Sequence, residues 1–252
     1  MVDRKIYALG PLLSIFALQG CGGNGMPVTS NQMPTAAVSG TQGNPTPPSS
    51  PLPPLLEERE SAEILEGRGA EIEWNAAGHV SSLNLYWTDL QDEDLRQLVV
   101  FDQVETVLLP STTTDAGLVH LQGLTQLKIL FPSHGLTDAG LMHVQHLPKL
   151  QELHMYGNRQ ITDAGLAYLR DLSQLEYLGL QHTELTGAGI VHLRDLLNLR
   201  WLSFAYTKTS DAELEYLRGM HQLRGLSLFG ATITDEGVNR LQQALPDCVV
   251  MH

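Results

Sequence analysis

The stretch from Leu150 to Ser173, LQELHMYGNRQITDAGLAYLRDLS, holds the whole structural unit in 24 residues. Leu150, Leu153 and Met155 are apolar, with Glu152, His154 and Tyr156 between or beyond them, the alternation of a short strand with one buried face. Asn158 follows, and Ile161 turns the chain back toward the core. Thr162 and Asp163 read as a helix start: the hydroxyl can accept from an unpaired backbone N–H, and the carboxylate sits at the positive end of the dipole. Leu166, Leu169 and Leu172 then recur every third residue and lay one apolar stripe on a short helix. Neither element can bury its apolar face alone, so such units must stack.

Outward from this stretch the same pattern recurs seven times, opening at Val80, Val104, Leu127, Leu150, Leu175, Leu199 and Leu223. A period near 24 with this anchor spacing is the signature of a leucine-rich repeat solenoid. The chain resembles bacterial leucine-rich repeat lipoproteins whose repeats carry Thr-Asp-Ala-Gly-Leu, plainest here at Thr137–Leu141 and Thr162–Leu166. The resemblance implies an α/β fold: a right-handed horseshoe solenoid with a parallel β-sheet on its concave side and helices on its convex side. It also implies that the concave face binds another macromolecule.

Register turns scattered residues into columns. Three places after the third anchor stand Thr88, Thr112, Gly135, Asn158, Thr183, Thr207 and Ala231. A side-chain donor there can satisfy carbonyls of the turn, so the turns at Gly135 and Ala231 are expected to be the least satisfied. Pro132 occupies an anchor place, has no N–H for a ladder, and is expected to break the third strand locally. Asp92, Asp115, Asp138, Asp163, Asp211 and Asp235 form a column interrupted at Gly187. Such carboxylates could hold calcium, yet one Asp per helix start is what capping requires without a cation. Gly117, Gly140, Gly165, Gly189 and Gly237 read as close-packing positions. His120, His143 and His192 share a helix place with Tyr168, Tyr216 and Arg240. His143 and His146 lack the third or fourth ligand that a metal needs. No metal and no cofactor is expected, and no nucleotide or hydrolase fingerprint occurs.

The ends differ from the repeats. Residues 1–21 read as a signal peptide: Arg4 and Lys5, an apolar run, then Leu18-Gln19-Gly20-Cys21, which resembles a lipobox with Cys21 as the lipidated residue. The apolar run of Ile6 to Leu18 is short of the ~20 residues that span a bilayer. Residues 22–54 carry no charge and eight prolines, a composition that cannot bury enough apolar surface to fold, and read as a tether. Residues 55–79 read as an N-terminal cap of helix and hairpin, 80–246 as the repeats and 247–252 as a closing strand. The expected location is the cell envelope, lipid-anchored at the outer membrane, on its periplasmic side or at the cell surface. With Cys21 acylated, Cys248 has no partner for a disulfide. The formal net charge of −13 argues against nucleic acid, which rewards basic patches.

The outward strand places carry an aromatic in six of seven repeats, although the chain is only 6% aromatic. Tyr86, Phe131, Glu152, His154, Tyr156, Tyr177, Trp201 and Phe229 are therefore the candidate binding residues: rigid aromatics bury much area at small entropic cost. The expected function is membrane-tethered recognition of a protein or peptide on this face. A glycan binder using the same aromatics as stacking platforms is the alternative. A hydrolase built on Glu152 and His154 lacks a nucleophile and an oxyanion site, so no catalytic residue is assigned.

Overall fold

A computed structural model describes residues 54–252; the expected signal peptide, the lipidation site Cys21 and the tether lie outside them. The chain opens with a helix, α1 (Pro54–Glu66), and an antiparallel hairpin of β1 (Glu71–Trp74) and β2 (Val80–Asn84). Seven more strands follow: β3 (Thr106–Leu108), β4 (Ile129–Phe131), β5 (Glu152–His154), β6 (Tyr177–Gly179), β7 (Trp201–Ser203), β8 (Gly225–Ser227) and β9 (Val249–Met251). They form one nine-stranded sheet in chain order, parallel from β2 onward. The register pairs the middle anchors Leu83, Val107, Leu130, Leu153, Leu178, Leu202 and Leu226, so the inward row is continuous. Each of these leucines and Val107 is at most 2% exposed, and each such burial is worth roughly 1.5–3 kcal/mol.

Between strands the chain returns through short helices. Two are α-helical, α2 (Asp138–Val144) and α3 (Asp235–Ala244); five, among them Gly165–Leu169, are 3₁₀. Leu166, Leu169 and Leu172 recur every three residues, which suits a three-residue turn, although Leu141, Val144 and Leu147 share the spacing at the α-helical α2. The expected side-chain N-caps form at Thr137, which accepts from the Ala139 N–H, and at Thr234, which accepts from Gly237.

The Thr114 and Thr162 hydroxyls likewise accept from Ala116 and Ala164 N–H at 3.3 Å. The Asp side chains, however, serve the following repeat, which reading one repeat in isolation does not reveal. Asp92, Asp115, Asp138, Asp163 and Asp211 each reach the Thr of the following repeat, while Asp235 of the last one meets His252. Asp138 accepts from the Thr162 N–H (2.8 Å) and hydroxyl (2.6 Å), and Asp115 and Asp211 hold Thr137 and Thr234 in the same way. The motif glycine then follows from geometry: a Cβ at Gly165 would lie 2.2 Å from Asp138 Oδ1, and one at Gly140 2.4 Å from Asp115 Oδ1. Asp163 accepts from the Thr186 hydroxyl and from the amides of Thr186, Gly187 and Gly189. Burial pushes its carboxyl upward, but these four donors outweigh burial and hold it below the usual carboxylate range. At Asp211 the Thr234 hydroxyl and amide lower the carboxyl likewise.

Two expectations about the turns need correction. Thr113 and Ser133 are buried at 1% and 0%, whereas Thr112 and Gly135 are exposed. Repeats opening at Val104 and Leu127 have a turn shorter by one residue, so the inward place shifts to a neighbour. Ser133 donates its hydroxyl to the Thr113 carbonyl of the preceding turn, and the Leu136 N–H of the Gly135 turn is met by Asn158 Oδ1 at 2.8 Å. The buried side-chain polar atom without a partner among the described residues is Thr113 Oγ1. Pro132 removes a single ladder bond rather than breaking the strand. Leu109, Met155 and Leu180 each donate to the next strand's last residue, and Pro132 alone has no N–H to do so. Its strand pairs forward over two residues instead of three.

Candidate functional site

The outward sheet face carries two rows of aromatic and imidazole rings. The inner row lies over the strands. Phe131 stacks on His154 with centroids 3.9 Å apart, and His154 on Tyr177 at 4.4 Å. Tyr177 reaches sideways to do this, and Gly179 leaves room for it: a Cβ there would lie 3.1 Å from the Tyr177 ring. Gly225 does the same for Trp201, whose ring passes 2.0 Å from where a Cβ would stand.

This packing corrects part of the sequence expectation. His154 and Tyr177 face outward but are only 8% and 5% exposed, because their neighbours cover them. Burial, with Glu152 nearby, pushes the Tyr177 phenol up, against a hydrogen bond from Gln181. Phe131, Glu152, Trp201 and Tyr86 are half-buried, while Tyr156 and Phe229 are 42% and 47% exposed. Glu152 Oε2 lies 3.2 Å from His154 Nε2, so the pair expected from sequence does meet. The imidazole is clamped between two rings, which suits a packing role. Among the described residues no group of three His, Cys, Asp or Glu side chains is placed to hold a metal.

The outer row stands where the strands run into their turns. It joins Tyr86 to His134 (6.4 Å), His134 to Tyr156 (5.8 Å), Tyr156 to His182 (5.1 Å) and His182 to Tyr206 (4.4 Å, nearly parallel). Trp87 meets the edge of Tyr86 and is 75% exposed. Sequence reasoning missed Trp87, His134, His182 and Tyr206. The signal was the column two places past the third anchor: Trp87, Ser111, His134, Gly157, His182, Tyr206, Gly230. In its last four members the backbone is left-handed, with φ of 76°, 57°, 55° and 68°. Glycine takes that conformation freely, whereas for His182 and Tyr206 it costs roughly 1–2 kcal/mol each. The N–H of each of the first three donates to the next repeat, Tyr206 to Phe229 O at 2.6 Å, lengthening the ladder by one bond.

Similarity to known proteins can be set against this geometry. Residues 146–169 match the family model described as "Leucine Rich repeat". The fold is that of a leucine-rich repeat solenoid. Two internalins of Listeria monocytogenes share the solenoid fold: one (inlF) is 19% identical with a TM-score of 0.54. The other, internalin C2, is 23% identical with a TM-score of 0.52. Each alignment covers 68% of this chain, with 47% of the first internalin and 70% of the second. The chain thus spans about half the length of the first. No curated protein matches it by sequence.

Proposed function

We propose that the protein is an envelope-tethered recognition module whose concave sheet face, along the outer aromatic row, docks a protein or peptide. One observation carries the reading: a continuous row of exposed and half-buried rings, two of them in left-handed backbone that glycine would occupy at lower energy. Strain kept at a surface position is the mark of a site under functional constraint. Exposed aromatics on a rigid scaffold bind with little ordering cost.

The ring geometry favours protein over glycan. A sugar stacks on a free ring face, yet His154 is covered on both faces, by Phe131 and Tyr177. Tyr206 is stacked by His182 and backed by Gly230, where a Cβ would lie 2.5 Å from its ring. At these rings the groups left to a partner are mainly edges, hydroxyls and imidazole nitrogens, which suit the amides and side chains of a peptide.

In this reading the N-terminal segment carries a lipid on Cys21 and residues 22–54 hold the solenoid off the membrane. The test is in-cell photo-crosslinking from position 206, with Tyr156→Ala plus Tyr206→Ala as the loss variant and Tyr216→Ala on the helices as control. Trapping of one defined protein, lost in the double variant and kept in the control, supports the reading. Trapping that ignores the double variant moves the site elsewhere. Cys21→Ser should release the protein from the membrane fraction; retention there would refute the lipid anchor.

A further inference from the structure

The outward face is not electrically uniform. Residues 54–105 hold thirteen acidic and three basic side chains, residues 106–252 fourteen and ten. The imbalance therefore sits at the N-terminal cap and first repeat. Part of it is on the binding face: Glu71 and Glu73 of β1 pair with Asn84 and Ser82 of β2, so their side chains point outward with them. Asn84 links this acid to the aromatic row. Its Nδ2 donates to Glu71 Oε2 at 2.8 Å while its Oδ1 accepts from the Tyr86 N–H at 3.2 Å.

Trp87 stands at this end and is the most exposed ring of the row, at 75% against 58% for Tyr206 and 42% for Tyr156. Its one ring contact is with Tyr86, set perpendicular to it, whereas Tyr206 is stacked on His182. The same cap shows what such a ring attracts. Arg59 lies over Trp74 with its guanidinium 5.4 Å from the ring centroid, the single such pair among the described residues. Arg68, the cation after it, is occupied by Asp89 and Asp94. An indole at the end of the row where Glu71 and Glu73 face outward, with no cation stacked on it, is complementary to a guanidinium or ammonium group.

We infer that the segment docked on the aromatic row is basic at the end lying over the first repeat, placing one Arg or Lys on Trp87 and a further one toward Glu71 and Glu73 on the same face. The inference rests on the proposed docking face and adds the chemistry and direction of its occupant. An extended chain laid across parallel repeats advances about 4.8 Å per repeat. A segment of roughly ten residues would reach from Trp87 to Tyr206, meeting the near-neutral, aromatic part of the row with its other end.

The probe is a fluorescent decapeptide with three arginines at one end and Tyr, Leu and Gly in the remainder, titrated into the full-length protein in detergent. Companion peptides carry citrulline or glutamate in place of arginine. The arginine peptide should bind at least ten-fold more tightly than the citrulline one, and its affinity should fall as salt rises. Trp87→Ala should weaken it about five-fold, and Glu71→Gln plus Glu73→Gln should weaken it and flatten the salt dependence. The citrulline peptide should be indifferent to all three changes. Equal binding of the arginine and citrulline peptides overturns the inference, as does insensitivity to Trp87→Ala. In either case loss of all peptide binding on Tyr156→Ala plus Tyr206→Ala would leave the docking face standing. Arginine-peptide binding that ignores that double variant is mere counterion association with the acidic cap and also overturns the inference.

Discussion

The junction between the repeats opening at Leu150 and Leu175 and the next junction along solve one problem with different residues. At the first, Asp163 crosses to the following repeat and accepts from Thr186, Gly187 and Gly189. At the second, the Asp place is Gly187 and no carboxylate can cross. There the glycine place of the following repeat is Glu213, whose Oε2 accepts from the Ser210 amide (3.1 Å) and hydroxyl (2.7 Å) of its own repeat. The first repeat has no predecessor and behaves like the second junction: Asp94 stands in the glycine place and accepts from the Gln91 amide at 2.9 Å. The rule is physical. A carboxylate must meet the amide that opens each helix; it comes from behind if an Asp is there, and then the glycine place must be empty. Otherwise the glycine place supplies it, as in a capping box.

This contrast is broken most forcefully by adding a methyl group where Asp163 passes. A Cβ at Gly189 would lie 2.7 Å from the Asp163 carbonyl oxygen and 2.9 Å from its Cα, backbone atoms that cannot swing aside. Gly189→Ala should cost about 3 kcal/mol in urea unfolding. At Gly165 the obstacle is a rotatable carboxylate, so Gly165→Ala should cost less, about 2 kcal/mol, through the Thr162 bonds it displaces. Equal costs would mean that backbone and side-chain obstruction are not distinguished here.

A double-mutant cycle sharpens the rule itself. Glu213→Gly removes the acceptor of Ser210 and should cost about 1–2 kcal/mol. Gly187→Asp would bring a Cβ within 2.9 Å of Glu213 Cβ, at a φ of 98°, and should cost about 2 kcal/mol. Together they recreate the arrangement of the other junctions and should cost about 1 kcal/mol, a coupling well above additivity. Strict additivity would show that the two departures are unrelated.

The repeats, their register and the strand-to-helix order were legible because the apolar anchors report burial directly: Leu153 and its six counterparts need only alternate correctly to find the core. Partners across repeats were not legible from one repeat read alone. Asp163 looks like the cap of its own helix until the next coil is laid beside it. Alternation likewise tells which face Tyr177 takes but not that His154 and Gly179 let it lie down and be covered. The left-handed places of His182 and Tyr206 were hidden because the glycines of the same column, Gly157 and Gly230, read as ordinary turn residues.

Acid tests the ladder with a smaller effect. Asp163 and Asp211 titrate below their ordinary value in the fold, so each contributes stability that is fully present above the unfolded value of ~3.9 and is lost as pH falls through the lower folded value. Both carboxylates are half-buried, and the solvent that reaches them moderates the effect. Melting temperatures should therefore fall below about pH 4, and less steeply in Asp163→Asn, which has no carboxyl to protonate. Parallel curves for the two proteins would mean that Asp163 does not sense the fold.

The smallest effect separates two threonines that the repeat pattern treats alike. Thr183 is buried and its hydroxyl donates to the Leu180 carbonyl at 2.7 Å, so Thr183→Val should cost about 1 kcal/mol. Thr113 is buried to the same degree in the shortened turn, but its hydroxyl has no partner. Valine has the same shape without the desolvated oxygen, so Thr113→Val should raise stability by about 1 kcal/mol. The sign is informative, because packing is matched in both substitutions and only hydrogen bonding differs. If urea midpoints fall equally for both, the one-residue shortening leaves the turn as well satisfied as its neighbours, and the shifted register would have no energetic consequence.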